Sequence, residues 1–161
     1  MFKAVAGQFD IKVETLDIDP DLNPDHVASV FDMPFSNNEY DVVCAFQMLE
    51  HLPFEKSLIA FHEMARVARR AILISLTDAA TRWPVSIHVP KFGAINFSIP
   101  KPRFRAAKHV FDGEHYWEVG KAGYPLAEVK SELLRVGGMR LTATYRVAEF
   151  PYHRFFVFET S

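Results

Sequence analysis

The sequence predicts an α/β domain whose sheet is largely parallel and closes in an antiparallel hairpin. Three observations carry this. The apolar runs Tyr40–Phe46 and Ala71–Leu76 bracket an amphipathic stretch, Phe54–Arg69, so strand and helix alternate. A second helical stretch, Ala127–Val136, leads into the strand-like run Met139–Val147. That run is joined to the last one, Arg154–Phe158, by only "AEFPYH". A parallel pair needs a crossover of about a dozen residues, so these last two strands must pair antiparallel.

Each element has its own local warrant. Phe2–Ala6 reads as the last turn of a helix, with Gly7 as its stop. Ile11–Ile18 alternates apolar and polar residues, the period of a strand. "HVASV" reads as a short second strand. Tyr40–Phe46 is almost continuously apolar, as in a strand covered on both faces. Within Phe54–Arg69, Leu58, Phe61, Ala65 and Ala68 recur at three- and four-residue spacing, which predicts one buried helical stripe. The helix at Ala127–Val136 stops at Gly137-Gly138. The expected arrangement is a three-layer sandwich with Ile11–Ile18, Tyr40–Phe46 and Ala71–Leu76 parallel.

Composition narrows the class. A chain of 161 residues fits one domain with a real core, here 1–161. Its formal net charge of −2 gives no general electrostatic case for nucleic acid or an anionic membrane. Cys44 is the single cysteine, so no internal disulfide forms and a reducing, cytoplasmic setting is expected. Lying in an apolar run, Cys44 reads as a buried, inert thiol. No apolar run reaches the ~18 residues that span a bilayer. His62, His88, His109, His115 and His153 lack metal-ligand spacing, so no metal site is expected.

Several short motifs then fall in a specific order: "LDID", "DMPF", "YDVVCAFQMLEHLP", a helix, and "AILISL". This run resembles the class I S-adenosylmethionine-dependent methyltransferases, most closely the branch labelled type 11. The closing stretch from His115 to Glu159 is similar to the end of many small-molecule methyltransferases of that branch. The resemblance implies a Rossmann-like sandwich, S-adenosylmethionine as cofactor and a small molecule as methyl acceptor. It also implies a strand and a glycine-rich turn ahead of Val13, so Met1 is expected to be an internal methionine of a longer protein. Without that turn, cofactor binding is expected to be weak or lost.

By the same resemblance Asp17 accepts hydrogen bonds from the ribose hydroxyls, with Asp19 next best; the competing reading is a solvated turn acid. Ile18 would lie against the adenine. Alignment on "DMPF" puts Ser29 and Val30 where the family carries an acidic residue for the adenine amine, and Asp32 serves there or as a cap. Ala45, Phe46 and Gln47 would follow the methionine part of the cofactor, Phe46 being equally suited to a core. Glu50 and His51 suit a base and its orienter, His51 being poised near neutral pH. The preferred reading is that His51 opens the next helix and closes over the cofactor.

Residues 78–118 interrupt the strand–helix rhythm with prolines, aromatics and basic side chains. The resemblance implies a lid that recognises the acceptor, lined by Trp83, Phe92, Phe97, Arg103, Phe104, Arg105, Lys108, Tyr116 and Trp117. Basic residues interleaved with aromatics also suit single-stranded nucleic acid, but the patch is small and the chain is not basic. A packed lid with an aromatic core is the bland alternative. The apolar strands flanking the missing neighbour predict a homodimer. The alternative to an enzyme is a cofactor-free remnant serving as a dimerising or interaction module.

Overall fold

The structure, a computed structural model, describes residues 2–91, 93–102, 106–111, 113–147 and 150–160. The elements run α1 (Phe2–Gly7), β1 (Leu16–Asp17), β2 (His26–Val27), β3 (Tyr40–Phe46), α2 (Phe54–Val67), β4 (Ala68–Thr77), β5 (Arg82–Val89), β6 (Gly93–Pro100), α3 (Leu126–Gly137), β7 (Arg140–Val147) and β8 (Phe150–Glu159). Short 3-10 turns cover Pro20–Leu22 and Leu49–His51.

The central sheet has the order β3-β4-β8-β7. β3 and β4 are parallel, as the intervening helix requires. β8 runs antiparallel to both β4 and β7, so the closing hairpin stands as the short connection predicts. The two other sheets are two-stranded: β1 with β2, parallel, and β5 with β6, antiparallel.

α2 and α3 lie on one face of the central sheet. In α2 the buried residues are Ser57, Ala60, Phe61, Met64 and Val67, one stripe at helical spacing. They meet Ile72, Ile74 and Leu76 of β4 and Phe156 and Phe158 of β8, all fully buried. α3 adds Val129 and Leu133 and ends at Gly138, whose φ of 62° is the left-handed cap that glycine adopts without a Cβ clash. Just before it, Gly137 lets α3 close on α2. A Cβ there would sit 2.6 Å from the Phe61 ring.

Three expectations are corrected. The strand read at Ile11–Ile18 shrinks to Leu16–Asp17 and joins only β2, not the central sheet. Strand character needs a paired neighbour as well as alternation, and Ile11 lies exposed. Second, α2 ends at Val67 rather than Arg69, because Ala68 already pairs with Tyr40 at the start of β4. Third, among the described residues no helix covers the far face of the central sheet. Val42, Phe46 and Tyr145 are 40–48 % exposed there. Cys44, expected to be buried, is exposed on that face too. Desolvation by its neighbours still pushes its thiol pKa up, so it is a poor nucleophile.

β1 and β2 are held beside the sheet by polar contacts as well as by packing. The Tyr40 hydroxyl donates to Glu14 Oε2 at 2.5 Å, and His26 Nε2 lies 3.0 Å from the same oxygen. Contacts from Lys12, Tyr40 and His26 hold the Glu14 carboxyl at a pKa of about 2. Burial, then Glu14, pushes the Tyr40 phenol up to about 12. The Phe35 ring packs edge-on between His26 and Tyr40, both 4.9 Å away.

The segment expected to be a lid contains a regular hairpin, β5–β6. Its register pairs Trp83 with Ile99, Val85 with Phe97, and Ile87 with Ile95 across one face. Trp83, Ile87, Ile95, Phe97 and Ile99 are 43–53 % exposed. The alternation was legible in "WPVSIHV" and "AINFSI", but the prolines masked it. Pro84 is tolerated because a two-stranded ribbon has only edges.

Candidate functional site

Cofactors of α/β folds bind at the carboxyl ends of parallel strands, here the ends of β1 and β3. The expected ligands fall into two groups. Asp17, Ile18, Ser29, Val30 and Asp32 surround the end of β1–β2, while Ala45, Phe46 and Gln47 end β3. Leu16 and Val30, packed against the main core, join the groups.

In the first group the Asp17 side chain is half-committed. Its Oδ1 accepts from the Asp19 amide at 2.9 Å, the turn role foreseen for it, while Oδ2 takes no hydrogen bond among the described residues. Asp19 caps the next turn by accepting from the Asp21 amide. Ile18 is 73 % exposed beside Asp17. Ser29 Oγ accepts from the Phe31 amide at 3.2 Å, and the Asp32 amide donates to the Ser29 carbonyl, so this pair builds a turn. Asp32 is exposed, and Val30 is partly buried.

In the second group the three residues face different ways. Ala45 is buried toward the helices. Phe46 lies on the open face, its ring 6.4 Å from that of Phe155. Gln47, at φ 52°, ends the strand in a left-handed turn. Its amide nitrogen donates to Ser75 Oγ at 3.1 Å, and its Oε1 lies 3.1 Å from Thr77 Oγ1. Glu50, fully buried, accepts from the Thr77 amide at 2.9 Å through Oε1. Gln47, Ser75, Thr77 and Glu50 therefore form a polar latch tying the end of β3 to the end of β4. Sequence reasoning missed Ser75 and Thr77, whose only signal was two hydroxyls closing an apolar run.

His51 lies in the 3-10 turn, ahead of α2 rather than at its first residue. It is exposed, and its Nδ1 lies 3.1 Å from the Glu114 carbonyl. A carbonyl only accepts, so Nδ1 carries the proton. The ring stands 4.9 Å from that of His115.

Of the expected lid residues, Trp117 belongs to the core: it is buried, and its Nε1 donates to the Leu52 carbonyl and Ser57 Oγ, both at 3.1 Å. Tyr116 and Lys108 line a cavity of about 340 Å³ together with His109, Ala122 and Tyr124. Trp83 and Phe97 stand on the apolar face of the hairpin. Phe92, Arg103, Phe104 and Arg105 lie outside the described residues. No group of three or more His, Cys, Asp or Glu among the described residues is arranged to hold a metal.

A buried ion cluster closes the end of β4. Asp78 forms ion pairs with Arg146 and with Arg154, whose Nε lies 2.6 Å away. Asp78 Oδ1 also accepts from the Ala80 amide. Arg146 donates to the Ala80 and Pro151 carbonyls, and Arg154 to Thr144 Oγ1. Burial pushes the Arg146 pKa down, with Asp78 opposing it. The cluster rivets β4, β7 and β8 together at the site end.

Residues 5–74 match the sequence model of a family described as a methyltransferase domain. A protein of Pyrococcus horikoshii OT3 superposes with a TM-score of 0.60 at 12% identity, over 99% of this chain and 78% of that one. The 1,6-didemethyltoxoflavin-N1-methyltransferase of Burkholderia thailandensis, solved with 1,6-didemethyltoxoflavin and S-adenosylhomocysteine, gives 0.62 at 11% identity, over 99% and 65%. An S-adenosylmethionine-dependent methyltransferase from Mesorhizobium loti gives 0.58 at 12%, over 98% and 85%. No curated protein matches the chain in sequence. The family model covers less than half of the chain, and the superpositions show that the chain shares the fold of these proteins. The chain spans only part of each of these longer proteins.

Proposed function

We propose that the domain acts in S-adenosylmethionine-dependent methyl transfer to a small molecule. The observation that supports this best is the free Asp17 Oδ2 beside the exposed Ile18 at the carboxyl end of β1. One oxygen accepts from the ribose hydroxyls while the isoleucine side chain lies against the adenine. Ser29, Val30 and Asp32 bound the adenine end. Phe46 and the backbone of Ala45 and Gln47 border the methionine part, since the Gln47 side chain is spent on the latch. The residues fit the adenosine half better than the other half.

The cofactor, when bound, supplies a methyl group already activated on a sulfonium. The protein's part is then alignment of the acceptor. His51 is oriented by the Glu114 carbonyl so that Nε2 keeps its lone pair, and it serves as base for an acceptor that must lose a proton. Residues 78–118 cover the acceptor. Calorimetry with S-adenosylmethionine tests the reading. Asp17→Ala is expected to cost about 2–3 kcal/mol of binding, the range for a hydrogen bond to a charged group. Equal affinity of the two proteins would remove Asp17 from the site.

A second reading has its own observation. Among the described residues the outer edge of β3 has no paired strand, and it borders the uncovered face with Val42 and Phe46 exposed. We propose that a second copy of the chain covers this edge and face about a two-fold axis. Light scattering at low micromolar concentration is expected to return twice the chain's mass. A folded monomer would sink this reading.

A further inference from the structure

β5 and β6 form an amphipathic ribbon that stands outside the core. Trp83–Ile99, Val85–Phe97 and Ile87–Ile95 pair across one face, and Ser86 and His88 lie exposed on the other. Among the described residues, none of those six apolar side chains belongs to the core cluster or packs against it. A two-stranded ribbon is marginal in water by itself and gains stability when its apolar face is covered.

Charge indicates what covers it. Residues 79–111 hold six of the chain's eighteen Lys and Arg and no Asp or Glu, while the other residues hold twelve against twenty. Two of the six flank the ribbon, Lys91 at the turn between β5 and β6 and Lys101 directly after β6, and both are exposed. The basic segment thus carries the apolar face, and the acidic remainder is repelled by any anionic surface that this segment meets. A second copy fits poorly, since it would set lysine against lysine. The face is also small: strand rise and spacing make it about 25 Å by 10 Å. That is roughly a third of the ~800 Å² that each partner of a standard interface buries. Single-stranded nucleic acid stacks its bases on aromatic rings, whereas four of the six paired side chains are aliphatic.

We infer that the ribbon docks on an anionic lipid surface, its apolar face at the headgroup–acyl boundary and Lys91 and Lys101 among the headgroups. It lies flat rather than crossing, because the outer edges of this two-stranded sheet must keep their backbone groups hydrated. Trp83, with an apolar body and a polar tip, suits that depth. The inference needs neither cofactor nor methyl acceptor, so it stands or falls apart from the methyl-transfer reading.

The test is sedimentation of the full chain with vesicles of phosphatidylcholine alone or with about 30% phosphatidylserine. Binding is expected only to the anionic vesicles. The double variant Lys91→Gln, Lys101→Gln should bind them about 30-fold more weakly, each charge near such a surface being worth about fivefold. The double variant Ile87→Ser, Ile95→Ser should lose at least about tenfold through its apolar face. Tryptophan emission reports the depth: Trp83 is half-exposed and should shift to the blue on binding, while Trp117 is already buried. In Trp83→Phe the shift should vanish although sedimentation persists. Equal binding to both vesicles, no sedimentation, or sedimentation without the blue shift would overturn the inference. Binding of oligo-dT with vesicles ignored would give the ribbon to nucleic acid instead. A vesicle-free dimer that the isoleucine variant returns to monomer would give it to a second copy.

Discussion

Asp78→Ala is expected to lower the free energy of unfolding by about 3–5 kcal/mol, the cost of removing one partner from a buried ion pair. The Asp78 side chain is 1% exposed, that of Arg146 7% and that of Arg154 13%. Removing the carboxylate leaves two guanidiniums facing each other out of water, with Thr144 Oγ1 and two carbonyls as their remaining partners. It also strips the Ala80 amide of its acceptor. Urea denaturation measures the loss. Adding Arg146→Leu to Asp78→Ala should restore part of it, because the repulsion and one desolvated charge go together. A loss below about 1 kcal/mol would mean that water reaches the cluster and screens it.

Phe158→Ala is expected to cost a comparable 3–5 kcal/mol, for a different reason. The ring is fully buried on β8, pairs in register with Ile72 and Leu141 on its two neighbours, and stands edge-on to Phe61 at 4.9 Å. Phe61 is itself held against Gly137, so α2 has little freedom to settle into the cavity. Thermal denaturation with matched denaturant curves checks the value. A cost under about 1.5 kcal/mol would show that the helices slide and refill the space.

The central α/β pattern was legible because it is local. The helical spacing of Leu58, Phe61, Ala65 and Ala68 and the run Ala71–Leu76 each declare their state within a dozen residues, and the shortness of "AEFPYH" declares a direction. What was not legible depends on partners far along the chain. Ile11 alternates as a strand should, yet among the described residues no strand pairs with it. Cys44 sits in an apolar run, and only the absence of a covering helix leaves it exposed. In the site, the turn role of Asp17 was readable from its place at a strand end ahead of Pro20. That Gln47 is consumed by Ser75 and Thr77 was not, since those residues lie about thirty positions away. The Asp78 cluster had no local signal, because its two arginines lie near the far terminus.

The sheet order has a consequence for how the molecule is made. β8, the last strand in the chain, lies inside the sheet between β4 and β7. Until it arrives, Ile72, Ile74 and Leu76 of β4 lack the Phe156 and Phe158 that share their face, and the edge of β4 has no neighbour. The β7–β8 hairpin is a local structure that forms quickly, whereas docking it on β4 closes a loop of about half the chain. During synthesis, β3, α2 and β4 therefore wait, apolar surface open, for Phe150–Glu159 to emerge. A ribosome stalled before Phe150 would hold a nascent chain with no closed core, the natural substrate of a chaperone.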